Sequence, residues 1–271
     1  MAIDHMNMNT ELHAVVEAVM KSRKYAGMMP ALVSRIAATE LRKQASPKKV
    51  IKATRNKLHQ VGGAYWDSPV KYDRWLKQFS DRGPGLDRDV CKEMMGLHAS
   101  TRERLPIVED FYSRIFAMMP PVHSILDLAC GLNPLAIPWI PMANGTDYFA
   151  CDIYTDLVAF LNRFFATAQV QGKATLCDLV TAPPGHKVDV AFLLKALPCL
   201  EQIDKNISLP LLEGIKAQFL IVSFPARSLG GRDKGMVPKY AEGFLELISE
   251  KKWAVERLEF ATELAFVVEK A

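Results

Sequence analysis

Acidic residues end three successive apolar stretches in the middle of the chain. Asp127, Asp152 and Asp178 each close a run whose density of apolar residues is typical of a buried strand. The carboxyl ends of parallel strands meet at one edge of an open α/β sheet, which is where such sheets bind ligands. One aspartate in this position is commonly a helix cap. Three in succession favour a binding site over three unrelated caps.

The turn after the first of these strands has room for a ligand. Residues 129–131 are Ala, Cys and Gly, and such small side chains let a ligand approach the backbone. Asn133 could then cap a helix that has Pro134 at its first position. The N-terminus of that helix would face the same ligand. A strand, turn and helix that only pack together would share this pattern.

The ligand expected from this turn is a nucleoside without phosphates. A pyrophosphate-binding loop needs several glycines, whereas this turn has only Gly131, preceded by Asp127. Adenosine with a charged amino-acid tail fits better, and S-adenosylmethionine has that form. Asp152 is placed to accept from ribose hydroxyls, and Asp178 from an adenine amino group. Lys195 interrupts an apolar run, so it either belongs to the site or extends outward to solvent.

A parallel sheet is needed to bring these residues together, and the pattern from residue 122 onward predicts one. Strands are expected at 124–128, 148–153, 174–177, 188–194 and 218–224, with helices between them that include 157–167 and 209–216. This alternation is typical of an α/β fold with helices on both faces of the sheet. Residues 253–260 and 264–269 predict a closing antiparallel hairpin.

The pattern of apolar residues in the N-terminal part predicts a separate helical domain. Apolar residues have helical spacing over 10–24, from Pro30 to Leu41 and from Pro47 to Leu58, with Thr10 as a possible first cap. Residues 61–90 read as a linker with short helices. The strong turn signal at residues 81–85 marks the expected boundary, which gives domains 1–82 and 83–271.

Basic residues are concentrated in this first domain. Residues 1–60 carry a net charge of +7, while the whole chain carries +4. Only Glu40 opposes the lysines and arginines between residues 20 and 60, which are Lys21, Arg23, Lys24, Arg35, Arg42, Lys43, Lys48, Lys49, Lys52, Arg55 and Lys57. Such asymmetry favours a polyanionic partner, above all nucleic acid, over an ordinary solvated helix surface.

A second basic segment follows the last parallel strand. Residues 223–236 combine Arg227, Arg232 and Lys234 with three glycines. A loop that holds a phosphodiester beside a methyl donor would have this composition. A flexible surface loop would resemble it too.

Composition excludes several other classes of protein. No apolar run is long enough to span a bilayer, and a secretory signal is not evident. The five cysteines are odd in number and form no C-x-x-C pair. We therefore expect free thiols in a reducing cytoplasm, and neither a metal site nor a membrane partner.

Residues 98–105 precede a helix with apolar periodicity. Ser100 and Glu103 have the spacing of a capping box, whereas Pro106 predicts a kink or a later helix start. A capping box would explain Ser100 and Glu103 but not Arg102 and Arg104. An arginine at either position could bind a ligand carboxylate.

Three segments together resemble a known family. Residues 98–104 (HASTRER), 127–135 (DLACGLNPL) and 223–232 (SFPARSLGGR) are similar to motifs of the Arm/Rmt aminoglycoside-resistance methyltransferases. The similarity extends over nearly the whole chain. It implies methyl transfer from S-adenosylmethionine to N7 of guanine 1405 in 16S rRNA of the 30S ribosomal subunit, with S-adenosylhomocysteine as product. It also implies a class I (Rossmann-like) methyltransferase fold with a seven-stranded, mostly parallel sheet.

The resemblance also implies roles for individual residues, with Arg104 at the methionine carboxylate. The implied cofactor site consists of Thr101, Arg104, Asp127, Gly131, Asp152, Ile153, Asp178, Leu179 and Lys195. The implied rRNA contacts are Lys21, Arg23, Lys48, Lys49, Lys52, Arg55, Arg227, Ser228, Arg232 and Lys234. Ala226, where we associate a threonine with the family, and Asp233 depart from the pattern of the last segment.

Guanine N7 has a lone pair and no proton to lose. Its methylation therefore needs no general base and depends on positioning, for which Lys195 is the candidate. The target base must also leave its helix. Three other functions stay open: methylation of another RNA site such as N1 of adenine 1408, nicotinamide-dependent oxidoreduction, and RNA binding without catalysis. The single glycine at 131 argues against the oxidoreductase.

Overall fold

A computed structural model describes residues 2–44, 46–66, 68, 70–83, 85–227 and 235–270, with side chains from Met8 onward. At its centre lies a seven-stranded sheet in the order β3-β2-β1-β4-β5-β7-β6. Its strands are β1 (Ser124–Leu128), β2 (Asp147–Asp152), β3 (Gly172–Leu176), β4 (Val188–Leu194), β5 (Ala217–Pro225), β6 (Ala254–Glu259) and β7 (Glu263–Glu269).

The first five strands run parallel, and the closing hairpin is antiparallel. β1 pairs with β2 and β4, β2 with β3, and β4 with β5, all in parallel. β7 lies between β5 and β6 and is antiparallel to both. The predicted α/β class and hairpin are thus confirmed, and each predicted strand end lies within two residues of the observed one.

Helices cover both faces of the sheet. They are α6 (Ala99–Arg104), α7 (Val108–Phe116), α8 (Thr155–Thr167), α9 (Leu197–Leu200), α10 (Ser208–Gly214) and α11 (Met236–Leu247). One core contains Phe111 of α7 and Phe164 of α8; the other contains Leu212 of α10 and Phe244 of α11. β4 is buried over nearly all of its length, as expected of a parallel strand covered on both faces.

In the described chain α6 and α7 are preceded by five further α-helices: α1 (Ala2–Met20), α2 (Pro30–Leu41), α3 (Pro47–Leu58), α4 (Tyr72–Asp81) and α5 (Arg88–Met95). α2 and α3 begin at the predicted prolines, whose fixed φ suits a first helical position. α1 begins at Ala2, so the expected cap at Thr10 is wrong. A single π-helical turn, His59–Gly63, follows α3.

The predicted domain boundary lies between α4 and α5. α4 packs on the sheet helix α8, where Tyr72 stacks on Phe160 at 4.9 Å and Phe79 contacts Phe164 edge-on at 5.1 Å. The apolar core of the first helices is continuous with that of this sheet face. Residues 1–82 and 83–271 therefore share a core, and their division into two domains stays a prediction.

Two local predictions were wrong. The segment after β1 is a 3₁₀ helix, Asn133–Trp139, and Asn133 does not cap it. Pro134 and Pro138 remove two backbone donors, which disfavours an α-helix here. At α6 the N-cap residue is His98, so Ser100 and Glu103 form no capping box. The predicted kink near residue 106 is confirmed, since a 3₁₀ turn at Leu105–Ile107 separates α6 from α7.

Within the described ranges, none of the helices combines the length and the apolarity that crossing a bilayer requires.

Candidate active site

A pocket of about 890 Å³, its open mouth included, lies at the carboxyl ends of β1 to β4. The α-helical N-terminal part supplies another wall through Leu32, Gly62, Tyr65 and Trp66. All nine residues predicted to bind the cofactor line this pocket, namely Thr101, Arg104, Asp127, Gly131, Asp152, Ile153, Asp178, Leu179 and Lys195. The fold thus brings the whole predicted set together, while the individual roles stay predictions.

The turn after β1 is tightly constrained. Ala129 has a φ of +50° and Gly131 a φ of +51°, the left-handed region that is costly for alanine by about 1–2 kcal/mol. A Cβ at Gly131 would lie 2.7 Å from Cε1 of His98, so no larger residue fits. The Gly131 N–H donates to Oδ2 of Asp152 at 2.9 Å. The first and second strand ends are therefore joined directly beneath the pocket.

The Asp152 carboxylate is held by three backbone groups. Besides the bond from Gly131, Oδ1 accepts from the N–H of Ile153 at 2.7 Å and from that of Tyr154 at 3.3 Å. Burial raises the pKa of Asp152, and the three backbone bonds oppose that rise. The carboxylate is thereby fixed in orientation, with acceptor capacity on Oδ2 for a ligand hydroxyl.

Asp127 lies deeper and is fully buried. Its Oδ2 accepts from Nδ2 of Asn133 at 2.9 Å and from the hydroxyl of Tyr148 at 2.7 Å. Burial raises the pKa of Asp127 to about 7, although both hydrogen bonds lower it. Asn133 in turn accepts at Oδ1 from Tyr112 at 2.6 Å and from Nη1 of Arg104 at 2.8 Å. Asn133 therefore links Asp127 to the arginine.

A buried ion network surrounds Arg104 and Lys195, both of which line the pocket. Arg104 is 1% exposed and donates through Nε and Nη2 to the two oxygens of Glu263, at 3.0 and 2.7 Å. The Lys195 ammonium donates to Oε2 of Glu103 at 3.0 Å and to the Ser100 carbonyl at 2.8 Å, and lies 3.5 Å from Glu263. Both cations are thus neutralised inside the protein.

Glu263 is the acidic centre of this network. Burial by itself would raise the pKa of Glu263, but attraction to Arg104 and Lys195 outweighs it and the pKa is lowered. Ser223, at the end of β5, donates its hydroxyl to Glu263 at 2.5 Å and accepts from the Lys195 N–H at 3.1 Å. The first residue of β7 therefore ties β5, the end of β4 and α6 to one another.

Asp178 is held by a residue of the N-terminal part. Arg35 of α2 donates to Oδ2 of Asp178 through Nε at 3.0 Å and Nη2 at 2.5 Å. Oδ1 accepts from the N–H of Val180 at 3.1 Å. One of the eleven basic residues of the first 60 thus holds a carboxylate that lines the pocket.

Aromatic rings form the mouth of the pocket beside the turn after β1. His98 stacks on Tyr65 with ring centroids 5.6 Å apart and contacts Trp66 edge-on at 4.7 Å. Burial, followed by Lys195 and Arg104, lowers the pKa of His98 to about 3, so the imidazole is neutral. These aromatic rings suit a base better than they suit a phosphate.

The predicted rRNA-binding residues divide into three groups. Five are exposed, namely Lys21, Arg23, Lys48, Lys49 and Lys52. Arg55 is half-buried and donates to the Ala18 carbonyl at 2.7 Å, joining α3 to α1. Arg227 is exposed, whereas Ser228, Arg232 and Lys234 lie outside the described residues.

Among the described residues, no group of three or more His, Cys, Asp or Glu side chains could hold a metal ion.

The family follows from comparison with known proteins. Residues 21–267 match the model of the ribosomal RNA methyltransferase (FmrO) family. The chain belongs to the ribosomal RNA methyltransferase (FmrO) family.

Two relatives of this ribosomal RNA methyltransferase match over almost their whole length. A 16S rRNA (guanine(1405)-N(7))-methyltransferase of Micromonospora echinospora is 35% identical over 262 residues, which cover 94% of this chain and 96% of the relative. An enzyme of the same name from Serratia marcescens is 32% identical over 265 residues, 98% of this chain and 99% of the relative.

Solved structures agree in fold. The crystal structure of the 16S rRNA methyltransferase RmtF in complex with S-adenosyl-L-homocysteine has a TM-score of 0.84 and 30% identity, covering 96% of this chain and 98% of that one. The structure of the 16S rRNA methylase RmtB has a TM-score of 0.79 and 28% identity, covering 96% of this chain and 98% of that one. The predicted Rossmann-like, S-adenosylmethionine-dependent fold is confirmed.

The sequence reasoning missed three residues at this methyltransferase's pocket: Trp66 lines it, whereas Glu263 and Arg35 hold the lining residues Arg104 and Asp178. Glu263 was placed in the turn between the predicted strands 253–260 and 264–269, although an acid directly before five apolar residues is unusual for a buried strand. Trp66 was assigned to a linker. Arg35 was counted as surface charge, and no local pattern distinguishes it from its ten basic neighbours.

Proposed function

We propose that this methyltransferase docks on the assembled 30S subunit and there methylates N7 of guanine 1405 of 16S rRNA. The methyl donor is S-adenosylmethionine, as for the family. One observation carries the assignment of the site: nine residues from four strand ends and from α6 line a single pocket. That pocket adjoins a helical part whose exposed surface is basic.

In this proposal, Asp152 accepts from the ribose hydroxyls and Asp178 from the adenine amino group. Both carboxylates are already oriented by other donors, so they lose little freedom on binding. Arg104 receives the methionine carboxylate. Glu263 and Asn133 engage one N–H on each of its three nitrogens, and Nη1 and Nη2 each keep a second N–H for the ligand.

Methyl transfer to N7 requires alignment and no proton transfer. In our proposal the everted guanine enters beside Tyr65 and Trp66, where stacking offsets part of the cost of unstacking the base. The neutral His98 packs against Gly131 at the inner end of that opening. Lys195 positions α6 through its bonds to Ser100 and Glu103.

The exposed lysines and arginines near α3 and after α1 would bind rRNA phosphates. Lys48, Lys49 and Lys52 lie on the exposed part of α3, and Lys21 and Arg23 follow α1. Such contacts carry affinity without reading base sequence. Recognition of a folded subunit would then come from RNA shape, with Arg227 contacting the target strand.

Nucleotide mapping tests the proposal. Purified protein and S-adenosylmethionine are incubated with intact 30S subunits and, separately, with protein-free 16S rRNA, and the modified position is read by primer extension after cleavage at 7-methylguanine. We expect modification at guanine 1405 in subunits and little in free rRNA. Modification at N1 of adenine 1408, or equal modification of free rRNA, would overturn it.

Cells provide an independent measurement of the same site. Expression of the chain in a susceptible bacterium should protect against 4,6-disubstituted aminoglycosides such as gentamicin but not against apramycin. Protection against apramycin would place the methyl group elsewhere.

A further inference from the structure

The wall of the pocket next to Asp178 comes from the basic N-terminal part. Leu32 of α2 is 1% exposed and lines the pocket. Arg35 lies three residues further along the same helix, hence on the same face. α2 therefore presents one apolar and one cationic side chain to the region where β3 ends.

Backbone hydrogen bonds fix this helix to the neighbouring loop. The N–H of Met29 donates to the Ile153 carbonyl at 2.7 Å, and the N–H of Thr155 donates to the Gly27 carbonyl at 2.7 Å. Met28 between them is fully buried. Residues 27–35 thus contact both the loop after β2 and the loop after β3, so Arg35 reaches Asp178 from a rigid base.

The hydrogen bonds to Asp178 leave a defined acceptor capacity. Among the described residues, three donors reach its carboxylate: Nε and Nη2 of Arg35 on Oδ2, and the N–H of Val180 on Oδ1. A carboxylate offers about four acceptor positions. One position on Oδ1 is therefore available, which matches a single N–H of an exocyclic amine.

We propose that Arg35 is a positioning and specificity-determining residue for the cofactor's adenine. It occupies Oδ2 of Asp178 and thereby turns Oδ1 toward the 6-amino group. A guanidinium held by two bonds keeps the carboxylate in one rotamer. The inference rests on the proposed placement of adenine at Asp178.

Calorimetry with two ligands tests this role. The ligands are S-adenosylhomocysteine and its 6-deamino analogue, which has hydrogen in place of the amino group. The variants are Arg35→Met, Arg35→Lys and Asp178→Ala, and the matched control is Arg42→Met, which removes an exposed arginine just after the same helix. Circular dichroism and thermal melting establish that each variant is folded.

We expect the unaltered chain to prefer S-adenosylhomocysteine by about tenfold, the equivalent of one hydrogen bond to a charged group. Arg35→Met should reduce that preference to about threefold or less, Arg35→Lys should retain most of it, and Arg42→Met should leave it unchanged. A merely structural role would weaken both ligands equally and leave their ratio intact.

The outcomes distinguish the placement of adenine at Asp178 from the role of Arg35. If Asp178→Ala leaves the preference unchanged, adenine does not meet Asp178, and the proposed placement fails together with the role of Arg35. If Asp178→Ala abolishes the preference and Arg35→Met retains it in full, only the role of Arg35 is refuted. Should Arg35→Met fail to fold, full preference in a folded Arg35→Ala variant refutes it equally.

Discussion

Replacement of Glu263 by glutamine should destabilise the protein strongly. Glu263 and Arg104 are 0% and 1% exposed, and Lys195 lies 3.5 Å from the same carboxylate. Neutralising Glu263 removes the carboxylate that Arg104 contacts and leaves Lys195 with that of Glu103. The amide N–H of the new glutamine would also point at an N–H of Arg104, so that two donors meet without an acceptor. Removing one partner of a buried ion pair costs about 3–5 kcal/mol.

The size of the effect can be read from thermal unfolding. For a chain of this length each kcal/mol corresponds to about 2–4 °C, so Glu263→Gln should unfold about 6–20 °C below the unaltered protein. The matched control is Glu259→Gln on β6, since the Arg257–Glu259 pair is exposed and such pairs contribute about 0–1 kcal/mol.

The pH dependence supplies a second measurement. The pKa of Glu263 is lowered from 4.5, so its contribution is present above the unfolded-state pKa and is lost as the pH falls through the folded-state value. The stability difference between Glu263→Gln and the unaltered chain should therefore shrink on acidification below about pH 4. A loss under about 1 kcal/mol at pH 7, equal to that of the control, would refute the reasoning.

Three further predictions concern ligand binding, docking and charge. Asp152→Ala should weaken S-adenosylhomocysteine binding in calorimetry by at least tenfold and leave the fold intact; unchanged affinity would contradict the assignment. Combined reversal of Lys48, Lys49 and Lys52 to Glu should weaken sedimentation with 30S subunits and flatten its salt dependence, while cofactor affinity stays the same; normal sedimentation would show that this surface does not dock. Asp127→Asn should be as stable as the unaltered protein near pH 4 and increasingly more stable than it up to pH 7. The reason is that folding raises the pKa of Asp127 from 3.8 to about 7, which costs about 4 kcal/mol at a pH where the group is ionised in the unfolded chain. A stability difference in urea unfolding that does not change with pH would contradict this.

The sequence was sufficient for the sheet because its signals are local and periodic. Strand-forming runs alternate with helical ones, and each predicted strand end lies within two residues of the observed one. The strand-end aspartates followed from the same regularity, since parallel strands bring their carboxyl ends to one edge. Asp127, Asp152 and Asp178 therefore meet in one pocket. Thr101 and Arg104, which only the family resemblance implied, line the same pocket from α6.

Contacts between distant segments could not be predicted in this way. Arg104 and Glu263 are 159 residues apart and Arg35 and Asp178 are 143 apart, and no periodicity links either pair. Capping predictions at Thr10 and Ser100 were wrong because a polar residue of the right type occurs more often than a cap. Asn133 had the side chain of a cap but uses it on Asp127.

The position of β7 sets the order in which the site can be completed during synthesis. β7 is inserted between β5 and β6 and carries Glu263 at its first residue. A nascent chain shorter than 263 residues therefore lacks the anion that neutralises Arg104 and Lys195. The buried network beside the pocket is therefore completed only after β7 has been made and has paired with β5.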